Sequence, residues 1–383
     1  MAVHFSLDEM ADRMRRLQAV MAERQLDGML LFAQESMFWL TSYDTFGFCF
    51  FQCLYVGQDG RTALLTRSAD LRQAQHTSII NAIRIWVDAA EANPAHDLRA
   101  MLADLGVGGH RLGVEYDSYG LTYANGQRVA SALEKFVTLV DASSIVPRLR
   151  VTKSDAELAF VREAAGLSDA ADRAAIDATR AGADEGDILA AQQSAIFAGG
   201  GDYPANEFII GSGRDALLCR YKSGRRRLDA NDQITLEFAG VFRHYHAAIM
   251  RTHVIGRARV QHVAYHAAAR EALAACETEL RPGRTAGDVY AAHARVFDQH
   301  GLSHHRLNAC GYSLGAKFTP SWMDPPMFFA NNDWVLAPNQ VVFLHMILMD
   351  SETDTAMCLG RTSIVTLTGP QVINAANLDL VTK

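Results

Sequence analysis

The sequence predicts a mixed α/β chain of two domains, the larger of which is an internal duplication. Three observations carry this expectation. The first 150 residues alternate strand-like and helix-like patterns. A capping signal at Ser154 then opens a long alanine-rich helix and marks a boundary. Finally, Arg180-Ala-Gly-Ala-Asp-Glu-Gly-Asp-Ile-Leu-Ala-Ala191 returns ungapped as Arg281-Pro-Gly-Arg-Thr-Ala-Gly-Asp-Val-Tyr-Ala-Ala292, at a fixed offset of 101 (281 − 180). Such a repeat implies two similar halves about a pseudo-twofold axis, with a cleft where they meet. The domains are expected at residues 1–150 and 151–383.

The elements follow in order. Ser6-Leu-Asp-Glu9 reads as a capping box for an amphipathic helix to about Arg24. Gly28-Met-Leu-Leu-Phe-Ala33 is a short apolar run of buried-strand type. Cys49 to Val56 and Thr62 to Thr66 flank Gly57-Gln-Asp-Gly60, a hairpin signal. Helical patterns at Asp97–Leu105 and Gly126–Lys135 alternate with strands at Arg111–Glu115 and Val137–Val140. Lys153-Ser-Asp-Ala-Glu157 supplies a second capping box. Each copy of the repeat follows a long helix and opens another that ends in glycine, at Gly199 and Gly301.

Composition narrows the function classes. A net charge of -7 over 383 residues argues against a nucleic-acid partner, because binding phosphates needs a basic surface. The one basic run, Arg225-Arg226-Arg227, reads as a solvated turn. The six cysteines are scattered with no Cys-x-x-Cys pair, which suits free thiols of a reducing compartment rather than a zinc site. No basic-then-apolar leader and no apolar stretch near the roughly 20 residues of a membrane span is present, so a cytoplasmic address is expected.

Three segments concentrate polar and aromatic residues within apolar surroundings: Gly199 to Glu207, the two-strand stretch Leu236 to Thr252, and Ala309 to Gly315 with Phe318-Thr-Pro-Ser-Trp322 downstream. Together they resemble the creatinase and aminopeptidase P family, whose larger domain has the pita-bread fold. The resemblance spans essentially the whole chain. It is strongest to the ectoine hydrolases, through Gly200 to Ala205, Glu237 to Ala247, Cys310-Gly-Tyr312 and Trp39-Leu-Thr-x-Tyr43.

Metallopeptidases of this fold hold two divalent ions with two Asp, one His and two Glu, because hard ions need several oxygen donors. The resemblance places those five positions on Glu237, Ala248, Tyr312, the neighbourhood of His345, and Cys358 to Arg361. One candidate ligand of five cannot hold two ions, so no metal and no cofactor is expected, as in the metal-free branch of the family. The family's catalytic His falls on Arg220. Creatinase's guanidinium-binding carboxylates fall on Met250 and His345. These changes favour a less cationic, carboxylated substrate that Arg220 can orient.

Glu237 lies in an apolar strand, Ile234-Thr-Leu-Glu-Phe-Ala239. Burial would raise its pKa into the range of acid–base work, unless it is simply paired with nearby Arg251. Strand alternation puts His244 and His246 on one face, but the intervening turn hides whether Glu237 shares it. His345 is either in the pocket or a satisfied core histidine. Tyr312 is a candidate hydrogen-bond donor to a carbonyl or leaving nitrogen. Asp202, Tyr203 and Trp322 read as lining. Cys219 beside Arg220 is a candidate low-pKa thiol.

The resulting expectation is a metal-independent hydrolase that cleaves a C–N bond in a small cyclic amidine, amide or related compound. Glu237 is its base or nucleophile, with Tyr312, His345 and His246 polarising and protonating. The resemblance also implies a homodimer in which the N-terminal domain covers the partner's cleft, with the segment Phe46 to Phe51, Phe51 included, as contributor. A non-catalytic binding protein, a lyase or isomerase, and a metal-dependent Xaa-Pro peptidase are the alternatives.

Overall fold

The computed structural model describes residues 3–383 and divides into two compact units, one ending at Arg150 and the other running from Val151 to Lys383. Among the described residues no helix is long and apolar enough to cross a membrane.

The first unit contains α1 (Leu7–Glu23), β1 (Gly28–Leu31), α2 (Gln34–Thr41), β2 (Cys53–Gly57), β3 (Thr62–Arg67) and α3 (Leu71–Thr77). It continues with β4 (Ala82–Trp86), α4 (Pro94–Asp104), β5 (Arg111–Val114), α5 (Tyr123–Leu133), β6 (Thr138–Asp141) and α6 (Ile145–Arg150). Its strands form a six-stranded sheet in the order β4-β3-β2-β1-β5-β6. The Ser6 hydroxyl accepts from the Glu9 N–H at the start of α1. α2 has no side-chain cap of its own. The buried Glu115 carboxylate anchors the segment leading into it, accepting from the Phe32 and Ala33 N–H groups at 3.0 Å each and from the Ser36 hydroxyl at 2.5 Å.

The second unit begins with α7 (Asp155–Ala178), capped by the Ser154–Glu157 box at 3.2 and 2.9 Å. Then come α8 (Glu185–Ala198), β7 (Ile209–Ser212), β8 (Asp232–Phe242) and β9 (Tyr245–Ile255). The second half follows with α9 (Val260–Glu279), α10 (Ala286–Gln299), β10 (Ala309–Ser313), β11 (Asp324–Phe329), β12 (Val341–Asp350) and β13 (Thr355–Thr366). Two short strands, β14 (Gly369–Val372) and β15 (Val381–Thr382), close the chain. The sheet order is β11-β10-β12-β13-β9-β8-β7, so the two halves meet where β13 pairs with β9.

The repeated glycines have a conformational cause. Gly182 and Gly283 have φ of +76° and +85°, which costs glycine nothing and a residue with a Cβ about 1 kcal/mol or more. Each N–H there reaches the carbonyl of a leucine, Leu228 at 2.8 Å and Leu336 at 3.0 Å, so both halves make the same turn. The helix stops also correspond at the offset of 101, but through Gly200 (φ +83°) and Gly301 (φ +70°). Gly199, expected as the first stop, has an ordinary negative φ as C-cap, and its neighbour takes the left-handed position.

One face of the sheet is buried under the helices. Leu344, Met346 and Leu348 of β12 and Met357 and Leu359 of β13 pack with α9 and α10. On the other half α7 lies so close to β8 that a Cβ on Gly240 would sit 2.0 Å from the Ala164 carbonyl oxygen. Period-2 alternation turns the intervening residues of these strands to the opposite face.

Candidate active site

The strand registers assemble that opposite face. Glu237 pairs with Met250, Met250 with Gly360, and Gly360 with His345, so these four form a row across β8, β9, β13 and β12. Tyr312 on β10 is opposite Phe343 on β12, two residues along from His345. His246 is opposite Val241, which lies on the same side of β8 as Glu237. The register thus answers what the turn concealed: Glu237 and His246 share a face. Arg251 is on the other face, 3.7 Å from Asp172 of α7, so it is not the partner of Glu237.

The Tyr312 hydroxyl donates to Glu237 Oε1 at 2.9 Å. Four strand gaps separate their strands, about 19 Å in a flat sheet, so this bond exists only because the sheet curls and makes the face concave. The Trp322 indole N–H donates to the Tyr312 oxygen at 2.8 Å. An indole nitrogen only donates, so Tyr312 accepts from Trp322 and its one proton is committed to Glu237. Asn206 Oδ1 in turn accepts from the Trp322 backbone N–H at 3.0 Å.

Burial raises Glu237 from 4.5 to about 7, while the Tyr312 hydrogen bond and the Arg220 charge pull it down. Burial also pushes the Tyr312 hydroxyl well up, so it remains a phenol. His345 is lowered to about 4, chiefly by burial, and is a neutral imidazole at physiological pH. Its Nδ1 has no hydrogen-bond partner, and its ring lies 5.6 Å from those of Tyr312 and Phe343. His246 is fully buried, and burial followed by neighbouring His244 lowers it to about 3. Its Nε2 accepts from the Ala205 N–H at 3.0 Å, so Nδ1 carries the proton and is a buried donor without a partner.

Arg220 is exposed on the loop after β7, with its guanidinium on the Cys219 carbonyl at 2.7 Å. It acts electrostatically on Glu237, Tyr312 and His345. Cys219 lies within reach of Glu237 too, but its thiol is pushed up by burial and by the Glu237 charge, which outweigh Arg220. The low-pKa thiol expected there is not formed.

The remaining candidates make other contacts. Asp202 accepts from the Arg243 N–H, bracing a two-residue β8–β9 turn in which Arg243 and His244 have φ of +49° and +67°. Two non-glycine residues in that region are strained, and the carboxylate holds them. Tyr203 is 80% exposed and packs edge-on against Phe197 of α8. Phe51 is buried in the first unit's own core against Phe32, and Phe46 and Phe50 are the exposed aromatics of that segment. Sequence reasoning did not single out Asn206, within the segment Gly199 to Glu207, or Phe343, two residues before His345.

The donors on this face do not fit a pair of hard cations. Glu237 is the one carboxylate among the five expected ligand positions, and one of its oxygens is bonded to Tyr312. Ala248 offers nothing. Arg361 lies on the helix-covered side, bonded to Glu277 at 2.7 and 2.8 Å. Among the described residues no three His, Cys, Asp or Glu side chains are grouped to hold a metal ion.

Comparison with known proteins agrees with this architecture. The family described as Metallopeptidase family M24 matches residues 159–368, and the Creatinase/Prolidase N-terminal domain matches residues 13–152. An uncharacterized hydrolase/peptidase of Sinorhizobium fredii, y4tM, is 28% identical over 395 residues, covering 100% of this chain and 99% of its own. The ectoine hydrolase of Halomonas elongata is 24% identical over 360 residues, covering 89% of each chain. Among solved structures, the Xaa-Pro dipeptidase from Bacillus anthracis superimposes with a TM-score of 0.85 at 20% identity, over 98% of this chain and 100% of its own. The Thermococcus sibiricus prolidase gives 0.89 at 16%, over 99% and 100%.

Proposed function

This chain belongs to metallopeptidase family M24 and carries a creatinase/prolidase N-terminal domain, and from that premise we propose that it is a metal-independent hydrolase of a non-peptide C–N bond. The substrate class is a small cyclic amidine, amide or related nitrogen compound bearing an acidic group. The observation that supports this most is Glu237, the one carboxylate among the five expected ligand positions, which accepts from Tyr312 (itself accepting from Trp322) where the two-ion chemistry of the peptidases would need four further ligands. The ectoine hydrolase relative supports a non-peptide substrate. The dipeptidase and prolidase structures, matched by superposition at 20% and 16% identity, speak to fold alone.

In this reading the Tyr312 bond occupies Oε1 and leaves Oε2 as the working atom. Ionised Glu237 takes a proton from water as the water oxygen bonds to the electrophilic carbon. The protonated carboxyl then returns that proton to the departing nitrogen, and the C–N bond breaks with one water consumed. His246 Nδ1–H and neutral His345 polarise the carbon's substituent, and Arg220 orients the acidic group. Direct attack by Glu237 is the variant of this step, separable by the covalent adduct that mass spectrometry would trap. The working unit is a homodimer in which the N-terminal unit closes the partner's cleft, and Phe46, 79% exposed, is the side chain available for that contact.

The test is a turnover screen over cyclic amidines, ectoine-like rings and N-carboxyalkyl amides in ¹⁸O-water, with metal analysis of the same protein. Turnover that survives a chelator, places solvent oxygen in the product, and falls about 10²- to 10⁴-fold in Glu237→Gln is the expected result. About two tightly held divalent ions per chain, with Xaa-Pro cleavage that needs them, would instead make it a peptidase. Turnover without ¹⁸O uptake would make it a lyase, and tight binding without turnover a binding protein.

A further inference from the structure

A second cleft lies at the far end of β8. It encloses about 330 Å³ and is lined by Gly213 and Arg214, by Asp232 and Gln233 at the start of β8, by Arg257 and Arg259 before α9, and by His262 and Asp354. Gln233 is four residues before Glu237 on the same strand, about 13 Å away. The turn at Gly213–Leu217 packs on β8 and β13 between the two places.

The charges here are unevenly matched. Asp232 and Asp229 are both bonded to Arg226, which is not part of the lining, and Asp354 pairs with Arg214 at 3.2 Å. Arg259 has only uncharged neighbours at its guanidinium: the Thr353 and Asp354 carbonyls at 2.8 and 3.1 Å, Gln233 Oε1 at 3.3 Å and the His262 ring at 3.1 Å. The neighbouring His262 is lowered to about 4 by burial and by Arg259, so it is a neutral imidazole there and brings no charge. Arg257 uses its backbone N–H on Asn231, and its guanidinium has no carboxylate partner among the ion pairs of the described residues. Two guanidinium groups two residues apart, one held by carbonyl oxygens and neither in an ion pair among the described residues, thus face a cavity of small-molecule size; with Arg226 counted, its four arginines outnumber its three aspartates, Asp229, Asp232 and Asp354, by one charge.

The same cleft is mechanically tied to the loop that reaches Glu237. Gln233 Nε2 donates to the Gly213 carbonyl at 2.8 Å and to the Asp354 carbonyl at 2.8 Å, fixing one end of the segment 213–220. At its other end are Cys219 and Arg220, whose charge acts on Glu237. We propose that this cleft binds a small molecule through a carboxylate or phosphate group on Arg257 and Arg259, and that occupancy repositions residues 213–220 and so tunes the Arg220 charge at the active site.

The test needs no knowledge of the substrate. Titrate the full chain calorimetrically with inorganic phosphate and, separately, with succinate, and follow iodoacetamide labelling of the Cys219 peptide by mass spectrometry in the same solutions. One site per chain is expected for one of the two anions, weakened about tenfold or more in Arg257→Ala and less in Arg257→Lys. The Cys219 labelling rate is expected to change as that site fills. The anion that binds identifies the chemistry as phosphate or carboxylate. No saturable binding of either, or binding that Arg257→Ala leaves unaltered, overturns the site. A labelling rate unchanged at saturation overturns its regulatory role.

Discussion

Replacing Glu237 by glutamine should stabilise the protein above neutrality and leave it nearly unchanged in acid. The carboxyl titrates at about 7 in the fold and at its ordinary 4.5 when unfolded. The folded state therefore binds the extra proton between these values, and stability is lost as pH rises through 7. The gap, at about 1.36 kcal/mol for each pH unit, is a cost of about 3 kcal/mol at pH 8 and above. At pH 5 it shrinks to about 1 kcal/mol or less, since the carboxyl is then mostly protonated in the fold. Glutamine keeps the shape and still accepts the Tyr312 hydrogen bond but carries no charge to desolvate. For a unit the size of the second one, about 3 kcal/mol is about 6–12 °C in Tm. Melting of wild type and variant at pH 8.5 and pH 5 measures it, and the difference between the chains removes every other titrating group. Equal shifts at both pH values, or a loss at pH 8.5, would refute the picture of an uncompensated buried carboxylate. Such a gain in the variant, together with its loss of turnover, would be the usual opposition of site and stability.

Tyr312→Phe removes a hydrogen bond that favours the charged form of Glu237, so the acid limb of the kcat/KM profile should move up by about 1–2 pH units. A limb that stays near 7 would detach the phenol from the base. His246, His253 and His293 are each lowered to about 3 by burial, so the unfolded chain binds their protons first and stability is lost as pH falls below 6.5. At pH 5 each costs about 2 kcal/mol, and urea midpoints between pH 7 and pH 5 should fall accordingly. Gly283→Ala, at φ +85° with open space around it, should cost about 1 kcal/mol. Gly240→Ala, whose Cβ would meet the Ala164 carbonyl at 2.0 Å, should cost several times that and lower the yield of folded protein; equal costs would refute the close helix–sheet approach.

What could be read from the sequence and what could not divides along physical lines. The turns were legible because their chemistry is local: Ser154 with Glu157, and the glycines that recur where φ is positive. Glu237 was legible as a carboxylate out of place in an apolar strand. Its partner was not, because the Tyr312 contact depends on curvature accumulated over four strand gaps. Nearness in sequence pointed to Arg251, and the register put that arginine on the far side. Tyr203 looked like lining from its string of neighbours, yet its ring lies against Phe197. The anchor that Glu115 lends to the entry of α2 joins residues about 80 positions apart, which no local motif announces.

The row Glu237–Met250–Gly360–His345 has a further meaning. It is centred on the seam between β9 and β13, where Met250 faces Gly360. A twofold axis through that seam exchanges Met250 with Gly360, and hence Glu237 with His345. The carboxylate and the imidazole therefore occupy equivalent seats in the two halves. The same dryness acts on both and drives their proton affinities in opposite directions, one up to about 7 and the other down to about 4. Their order is thereby inverted: the carboxyl holds its proton more tightly than the ring does. The two halves thus offer two matched seats, with a proton acceptor in one and a neutral hydrogen-bonding group in the other.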